Sequence, residues 1–412
     1  FTSCIRSATS TLITNADNNS IVNCYLVGSG VGRNVSGNTS EIVTWGIIVS
    51  AGASTVSNTT APSPLTSATT TMASGQTVAN LLISNNQIVT VSRGISINGA
   101  ATTVAPNLVI SANLIGNSIA GDPNQVTQNG ITVSGCDNSS ITANTVYAES
   151  FHTTNSATRG IEVGVISVNT TAANITNNII ARIRNNNTTT YGAYGINLNG
   201  GNNHSVINNA VMGCTNDQTA GTGAFSTTFG VHGIRIGTGT GHKIYHNSVN
   251  LAGVIPGAIS TDLISCFTIV GTTQTGCDVR NNIFSNTTSG GNPTVNSVVF
   301  VSIYLPSGGT STMNLTLNNN AYYQGNLANS GIAQVSSTGS AANLYLSSNF
   351  APGVITPSTN LRAYTSLLSA AGTNDNASIA ASSAAPFTSA TDLHIPFATP
   401  GPLESGGAFV GV

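Results

Sequence analysis

Two aliphatic columns flank a column of asparagine along most of this chain. The phrase Val206-Ile207-Asn208-Asn209-Ala210-Val211 returns nine times between Cys24 and Asn320. Aligned on Asn209, it places Asn86, Asn113, Asn144, Asn178, Asn247, Asn282 and Asn320 in one column, with Cys24 in the first copy. Three positions earlier stand Ile21, Ile83, Ile110, Ile141, Ile175, Val206, Ile244, Val279 and Leu317. Two positions later stand Leu26, Ile88, Ile115, Val146, Ile180, Val211, Val249, Phe284 and Tyr322. Both columns are wholly apolar, in a chain that is only 40% hydrophobic. Many repeats also carry an upstream stretch opening Gly-Ile, as at Gly94-Ile95, Gly130-Ile131, Gly160-Ile161, Gly195-Ile196 and Gly233-Ile234. These alternate apolar and polar residues with period two, the pattern of a half-buried strand. Helical spacing is nearly absent from the repeats, so the coils are predicted to be built from strands.

Successive copies are separated by 62, 27, 31, 34, 31, 38, 35 and 38 residues. A period this elastic predicts a solenoid whose coils carry loops of variable length. The first interval leaves room for one degraded copy, with Ile42-Val43-Thr44-Trp45-Gly46-Ile47-Ile48-Val49 as its strand. Stacked coils set equivalent residues about 4.8 Å apart. At that spacing an Asn amide donates to one neighbour and accepts from the other, forming a ladder. Asn also tolerates the left-handed backbone conformation, which suits a sharp bend at the ladder column. The aliphatic columns then point inward and form one long, narrow core.

On these columns the repeats resemble the right-handed parallel β-helix of the pectate-lyase type, in which an Asn ladder at one bend is a familiar feature. The resemblance implies an all-β fold, a right-handed parallel β-helix solenoid with its ladder at Asn86, Asn113, Asn144, Asn178, Asn209, Asn247, Asn282 and Asn320. It implies a fold and leaves function open. Residues 1–30 are read as an N-terminal cap and first coil, and 31–80 as the degraded coil with a long Ser/Thr-rich loop. Residues 81–325 are read as the β-helix coils, and 326–412 as a C-terminal cap or interaction segment. In that last segment Leu361, Tyr364, Leu368 and Ala371 share one helical face, and Gly372 follows as a stop. The helix, Gly372-Thr373-Asn374-Asp375-Asn376-Ala377-Ser378, Ala385-Pro386-Phe387 and Thr391-Asp392-Leu393-His394-Ile395 together resemble a terminal module of secreted β-helix proteins from Bacteroidota. In that family a type IX secretion signal commonly follows the module, and none is found here. The tail Gly406–Val412 is apolar enough to pack on its own cap or to reach a neighbour.

Composition narrows the function. Only 5% of residues are charged, against about 25% in ordinary soluble proteins. With one lysine, Lys243, and a formal net charge of −2, neither nucleic acid nor an anionic membrane is an electrostatic partner. A surface of Ser, Thr, Asn and Gly lacks the repulsion that keeps monomers apart, and so invites self-association or a coat of glycans. No run reaches the roughly 18 continuous apolar residues of a membrane span. The chain opens on Phe1 and is read as a processed mature protein whose leader is gone. Its six cysteines include no close CxxC pair that would suggest zinc. An oxidising, extracellular compartment is the simpler reading. Candidate disulfides are Cys4–Cys24 at the N-terminal cap and Cys266–Cys277 around Thr272–Thr275, with Cys136 and Cys214 unpaired.

No catalytic, cofactor or metal residue is assigned. A lyase of acidic sugars needs clustered carboxylates for Ca²⁺ and a basic residue to abstract a proton, and a hydrolase needs paired carboxylates. The carboxylates are scattered, and only Asp137, Glu149 and Glu162 fall in neighbouring coils. Five positions before the ladder, His204, His242 and Cys277 stack on successive coils. Imidazole and thiolate are good metal ligands, but in-line neighbours give poor tetrahedral geometry, so a stacked polar row is the reading taken. The triplets at Asn34, Asn38, Asn58, Asn169 and Asn286 permit glycosylation without arguing for it. The expected function is a secreted, non-catalytic structural protein that joins copies of itself, head to tail through its ends, in an extracellular fibre or surface layer. The alternatives are a polysaccharide-degrading enzyme with a groove along the helix, or a glycan-binding adhesin using Trp45, Tyr191, Tyr194, Tyr322 and Tyr323 as stacking platforms.

Overall fold

The computed structural model describes residues 17–28, 44–49, 77–100, 104–150, 157–164, 170–186, 191–217, 227–255, 262–290, 298–336, 343–352, 356–396, 403, 407–408 and 410. Each coil gives one strand to each of three parallel sheets, so the chain is an all-β parallel β-helix. Sheet A stacks nine three-residue strands from Ser20–Val22 to Thr316–Asn318. Sheet B runs from Tyr25–Val27 through Ala321–Gln324. Sheet C runs from Trp45–Val49 through Ser330–Val335 and ends on an antiparallel strand, Leu344–Tyr345.

The register repeats the sequence columns. Ile21 pairs with Ile83, Ile83 with Ile110, Ile110 with Ile141, and so on to Leu317. Leu26 pairs with Ile88 and Ile88 with Ile115, ending at Phe284 opposite Tyr322. From Ile83 and Ile88 onward both columns are fully buried, which makes the core one continuous file. The glycine of each Gly-Ile strand faces the second column: a Cβ on Gly130 would stand 2.2 Å from Val146 Cγ1, and one on Gly195 2.4 Å from Val211 Cγ1.

Three expectations are corrected here. Among the described residues no strand of an extra coil lies within the 62-residue first interval: Ser20–Val22 pairs directly with Leu82–Ser84, and Trp45–Val49, read as the strand of a hidden coil, pairs as the first strand of sheet C with Val91–Asn98. Loop closure costs little more for a long loop than for a short one, so a long interval need not mean a second coil. The left-handed residue at the bend is the one before each ladder position: Asn85, Asn177, Asn208, Asn281 and Asn319 have φ of 53–62°, and Ala112, Ala143 and His246 do the same in other coils. A second left-handed row, including Asn80, Asn107, Asn138 and Asn203, turns the chain into sheet A. Finally, helix α1 is only Leu361–Ser366, capped by the Asn360 side chain accepting from the Ala363 N–H.

Past α1 the chain closes its own end. Ile379–Ala381 adds a tenth strand to sheet B against Ala321–Tyr323. The tail then turns back along the outside of that sheet, where Ala385, Phe387 and Leu403 pack with Tyr323 and Ile283. The Asn281 side chain exchanges two hydrogen bonds with the Ala408 backbone, at 2.7 and 2.8 Å. Among the described residues no helix is long and apolar enough to cross a membrane.

The expected Cys266–Cys277 bridge is absent: both thiols are free. Cys266 lies inside sheet C and donates to Ser285 O at 3.1 Å, while Cys277 precedes a sheet A strand and bonds Gln274 O at 3.7 Å. Cys24 is also free, and Cys4 lies outside the described residues.

Candidate functional site

The ladder forms as a chain of paired bonds. Asn178 Nδ2 donates to Asn209 Oδ1 at 2.9 Å and to Ile141 O at 2.9 Å, and its backbone N–H reaches the same Oδ1 at 3.0 Å. Its own Oδ1 accepts from the N–H and Nδ2 of Asn144. The same pattern links Asn86, Asn113, Asn144, Asn178, Asn209, Asn247, Asn282 and Asn320. At the ends, Cys24 N–H donates to Asn86 Oδ1 and Asn320 N–H donates to Ser378 Oγ, each at 3.0 Å. Because all eight amides are buried, each bond replaces one that water would otherwise have made.

The histidine column is a second, shorter ladder. Ala173 N–H donates to His204 Nδ1 and His204 N–H to His242 Nδ1, both at 3.2 Å. Each Nε2 then bonds a carbonyl, Gly200 O at 2.9 Å and Thr238 O at 3.1 Å, and the rings stack 5.0 Å apart. Accepting at Nδ1 fixes the neutral, Nε2-protonated tautomer and leaves no lone pair for a metal. Among the described residues, no group of three or more His, Cys, Asp or Glu could hold a metal ion.

Burial holds His204 below its ordinary pKa of 6.5 and takes His242 down to about 4. A depressed folded value means that the unfolded chain binds the proton first. The stability present above pH 6.5 is therefore lost as pH falls toward about 4. His242→Asn, which keeps an acceptor at the same atom, is expected to show a smaller drop in urea midpoint between pH 7 and about 4.5 than the native chain.

The three acids from neighbouring coils do not converge. Glu149 is buried on sheet B beside Arg182 and Arg184, 3.5 and 3.0 Å from their guanidinium nitrogens, and Arg184 also grips Asp217. Asp137 bonds the Thr171 hydroxyl near sheet A. Glu162 lies on the outward side of sheet C, 3.0 Å from Arg159 Nε and 2.9 Å from Asn197 Nδ2.

The outward side of sheet C gathers a further group of ionisable side chains. One row across the coils reads Trp45, Arg93, Asn129, Arg159, Tyr194, His232. The adjacent row includes Glu162, Asn197 and Arg235. Arg159 and Arg235 both lie over the Tyr194 ring, 5.7 and 5.4 Å from its centroid, and Arg235 Nη1 donates to Asn197 Oδ1 at 2.9 Å. His232 is fully buried between Ser265 and Thr268, and burial with Arg235 nearby holds it well below the usual imidazole range. Sequence reasoning singled out Glu162 and Tyr194 but missed these arginines. Strict alternation hides the pairing, since residues three apart such as Arg159 and Glu162 would fall on opposite faces, and it is across the intervening Gly160-Ile161 that the strand brings them together.

The proposed aromatic platforms are mostly interior: Tyr194, Tyr322 and Tyr323 are buried, and Tyr191 stands edge-on to Phe229. Asn286 is also buried, with Nδ2 donating to Ile264 O and Val301 O, and so offers no glycan acceptor. Asn34, Asn38, Asn58 and Asn169 lie outside the described residues.

Asp262, at the start of a sheet C strand, is fully enclosed, and burial raises its carboxyl from 3.8 to about 7. Its Oδ2 accepts from Asn216 Nδ2 at 2.8 Å, while Asn216 Oδ1 has no partner. A raised acid contributes stability that is full below pH 3.8 and is lost as pH rises through about 7. Asp262→Asn, with Asn216 flipped to present its Oδ1, is expected to gain on the order of 2 kcal/mol at pH 8 and little at pH 5. Urea unfolding at the two pH values reads the difference.

Comparison with family models, with curated proteins and with solved structures gave no match.

Proposed function

We propose that the chain is a secreted, non-catalytic structural protein, a right-handed, pectate-lyase-like β-helix of the Bacteroidota surface type that joins copies of itself in an extracellular fibre or surface layer. The observation that carries this reading is the uncharged face of sheet A. In its first six strands every side chain flanking the buried centre is uncharged, and Lys243 is the first charge met along the sheet. Hydroxyls link neighbouring coils, Ser111 to Ser84 and Thr176 to Thr142, each at 2.9 Å. Asparagine amides line both margins, Asn107 bonding Asn80 and Asn208 bonding Asn177. Such a regular face lacks like-charge repulsion and suits sheet packing at about 10 Å. With the C-terminal end closed by α1 and the tenth strand, side-by-side association replaces the head-to-tail contact expected from sequence.

Negative-stain images of the purified protein are expected to show laterally associated rods. A Ser111→Lys, Thr176→Lys double variant, which puts like charges on that face, is expected to disperse them. Monodisperse single rods at high protein concentration would count against the proposal.

A further inference from the structure

The first coils of sheet C hold a guanidinium without an anion. Arg93 stands between Trp45 and Asn129 in the outward row, with Arg159 one coil further on. Successive members of such a row are about 4.8 Å apart. Arg159 is neutralised by Glu162 at 3.0 Å. Arg93 is not so placed: its Nε donates to the neutral amide oxygen of Gln128 at 3.0 Å, and its Nη1, shut off from solvent, meets no acceptor. Burial and the nearby Arg159 bring Arg93 down to about 10, which still leaves it charged at neutral pH. Glu162 is the acid that acts on Arg93, Arg159 and Arg235 alike, so three guanidiniums share one carboxylate.

The neighbours of Arg93 are unsatisfied in a complementary way. Trp45 Nε1 on the preceding coil is a buried donor without an acceptor. Asn129 Oδ1 on the following coil is a buried acceptor without a donor, although its Nδ2 is bonded to Thr132 Oγ1 at 3.2 Å. Buried polar atoms are rarely left unpaired, and a charged donor least of all. The row thus offers donor, charged donor and acceptor across two coil spacings, the length of a small molecule.

The geometry points to a binding site in which Arg93 Nη1 and Trp45 Nε1 donate to an oxyanion group and Asn129 Oδ1 accepts from a hydroxyl of the same ligand. The class is a small hydroxyl-bearing anion, a sugar acid or a phosphate or sulfate ester. This inference stands apart from how the rods associate, since it uses a different sheet.

Trp45 is the chain's single tryptophan, and so its emission reports on this row alone. The test titrates the full chain with sodium glucuronate, glucose 6-phosphate and glucose 6-sulfate, against sodium chloride at matched ionic strength. A saturable change in Trp45 emission is expected with at least one of the three, and the effective probe distinguishes planar from tetrahedral anions. In Arg93→Gln the apparent affinity is expected to fall at least tenfold, whereas Arg280→Gln, at a remote arginine, is expected to titrate like the native chain. Responses no larger than with chloride, or unchanged binding in Arg93→Gln, overturn the assignment. If Arg93→Gln loses the native far-UV spectrum, a saturable rise in the native chain's unfolding temperature with the same probes decides instead, and its absence overturns the site.

Discussion

Asn178→Ala is expected to lower stability by about 3–5 kcal/mol. The substitution removes the acceptor of the Asn144 N–H and one acceptor of Asn144 Nδ2, and it strips a donor from Ile141 O and from Asn209 Oδ1. Each buried group left unpaired costs about 1–3 kcal/mol, and the row is closed to bulk solvent. Since each coil is held chiefly by its neighbours, the break should also split unfolding into two stages, one for each side of the fifth coil. Urea unfolding followed by circular dichroism measures both effects. The neighbouring Asn208→Ala supplies the contrast: Asn208 is partly exposed, its φ is 55°, and Ala112 and Ala143 already occupy the equivalent place in other coils. A loss of roughly 1 kcal/mol is expected there, because alanine lacks the short polar side chain that eases asparagine into the left-handed region and that donates to Asn177 Oδ1.

Phe284→Ala is expected to cost about 3–5 kcal/mol for the cavity and the lost burial. Phe284 is fully buried at the point where the core column changes from aliphatic to aromatic, stacked 5.3 Å from Phe267 and 6.3 Å from Tyr322. Each ring contact adds about 0.5–1.5 kcal/mol beyond area burial, which places this substitution among the most damaging in the chain. Phe284→Leu keeps most of the volume and should lose markedly less. Thermal unfolding of the two variants side by side separates the volume effect from the ring contacts.

The fold was legible because a solenoid repeats its physics once per coil. Nine aligned copies turned single weak preferences into columns, and the ladder and both core files appear at the positions the columns mark. The left-handed position was read one residue late, for a reason visible in the chain: Asn85-Asn86, Asn177-Asn178, Asn208-Asn209, Asn281-Asn282 and Asn319-Asn320 are doublets, and either member suits a bend. Loop length carries no comparable signal, so the 62-residue coil looked like two.

The polar row on sheet C was harder to see. Period-two alternation separates inward from outward residues, and the outward ones are normally assigned to solvent. Here Asn129, Asn197, His232 and Ser265 point outward yet are buried, so their chemistry depends on what lies over the sheet. The cysteines misled for a similar reason. Cys266 and Cys277 are close in sequence but belong to different sheets, one on the sheet C strand that ends a coil and one just before the sheet A strand that opens the next.

The account rests on eight side-chain amides stacked one per coil. The most direct test is nuclear magnetic resonance of a sample labelled with ¹⁵N only at asparagine, following side-chain amide exchange and the contacts between amide protons. The ladder predicts slowly exchanging Nδ2 protons for Asn86 through Asn320, with contacts running from Asn144 to Asn178 to Asn209 in order. Fast exchange at those amides, with no contacts linking successive members, would contradict it.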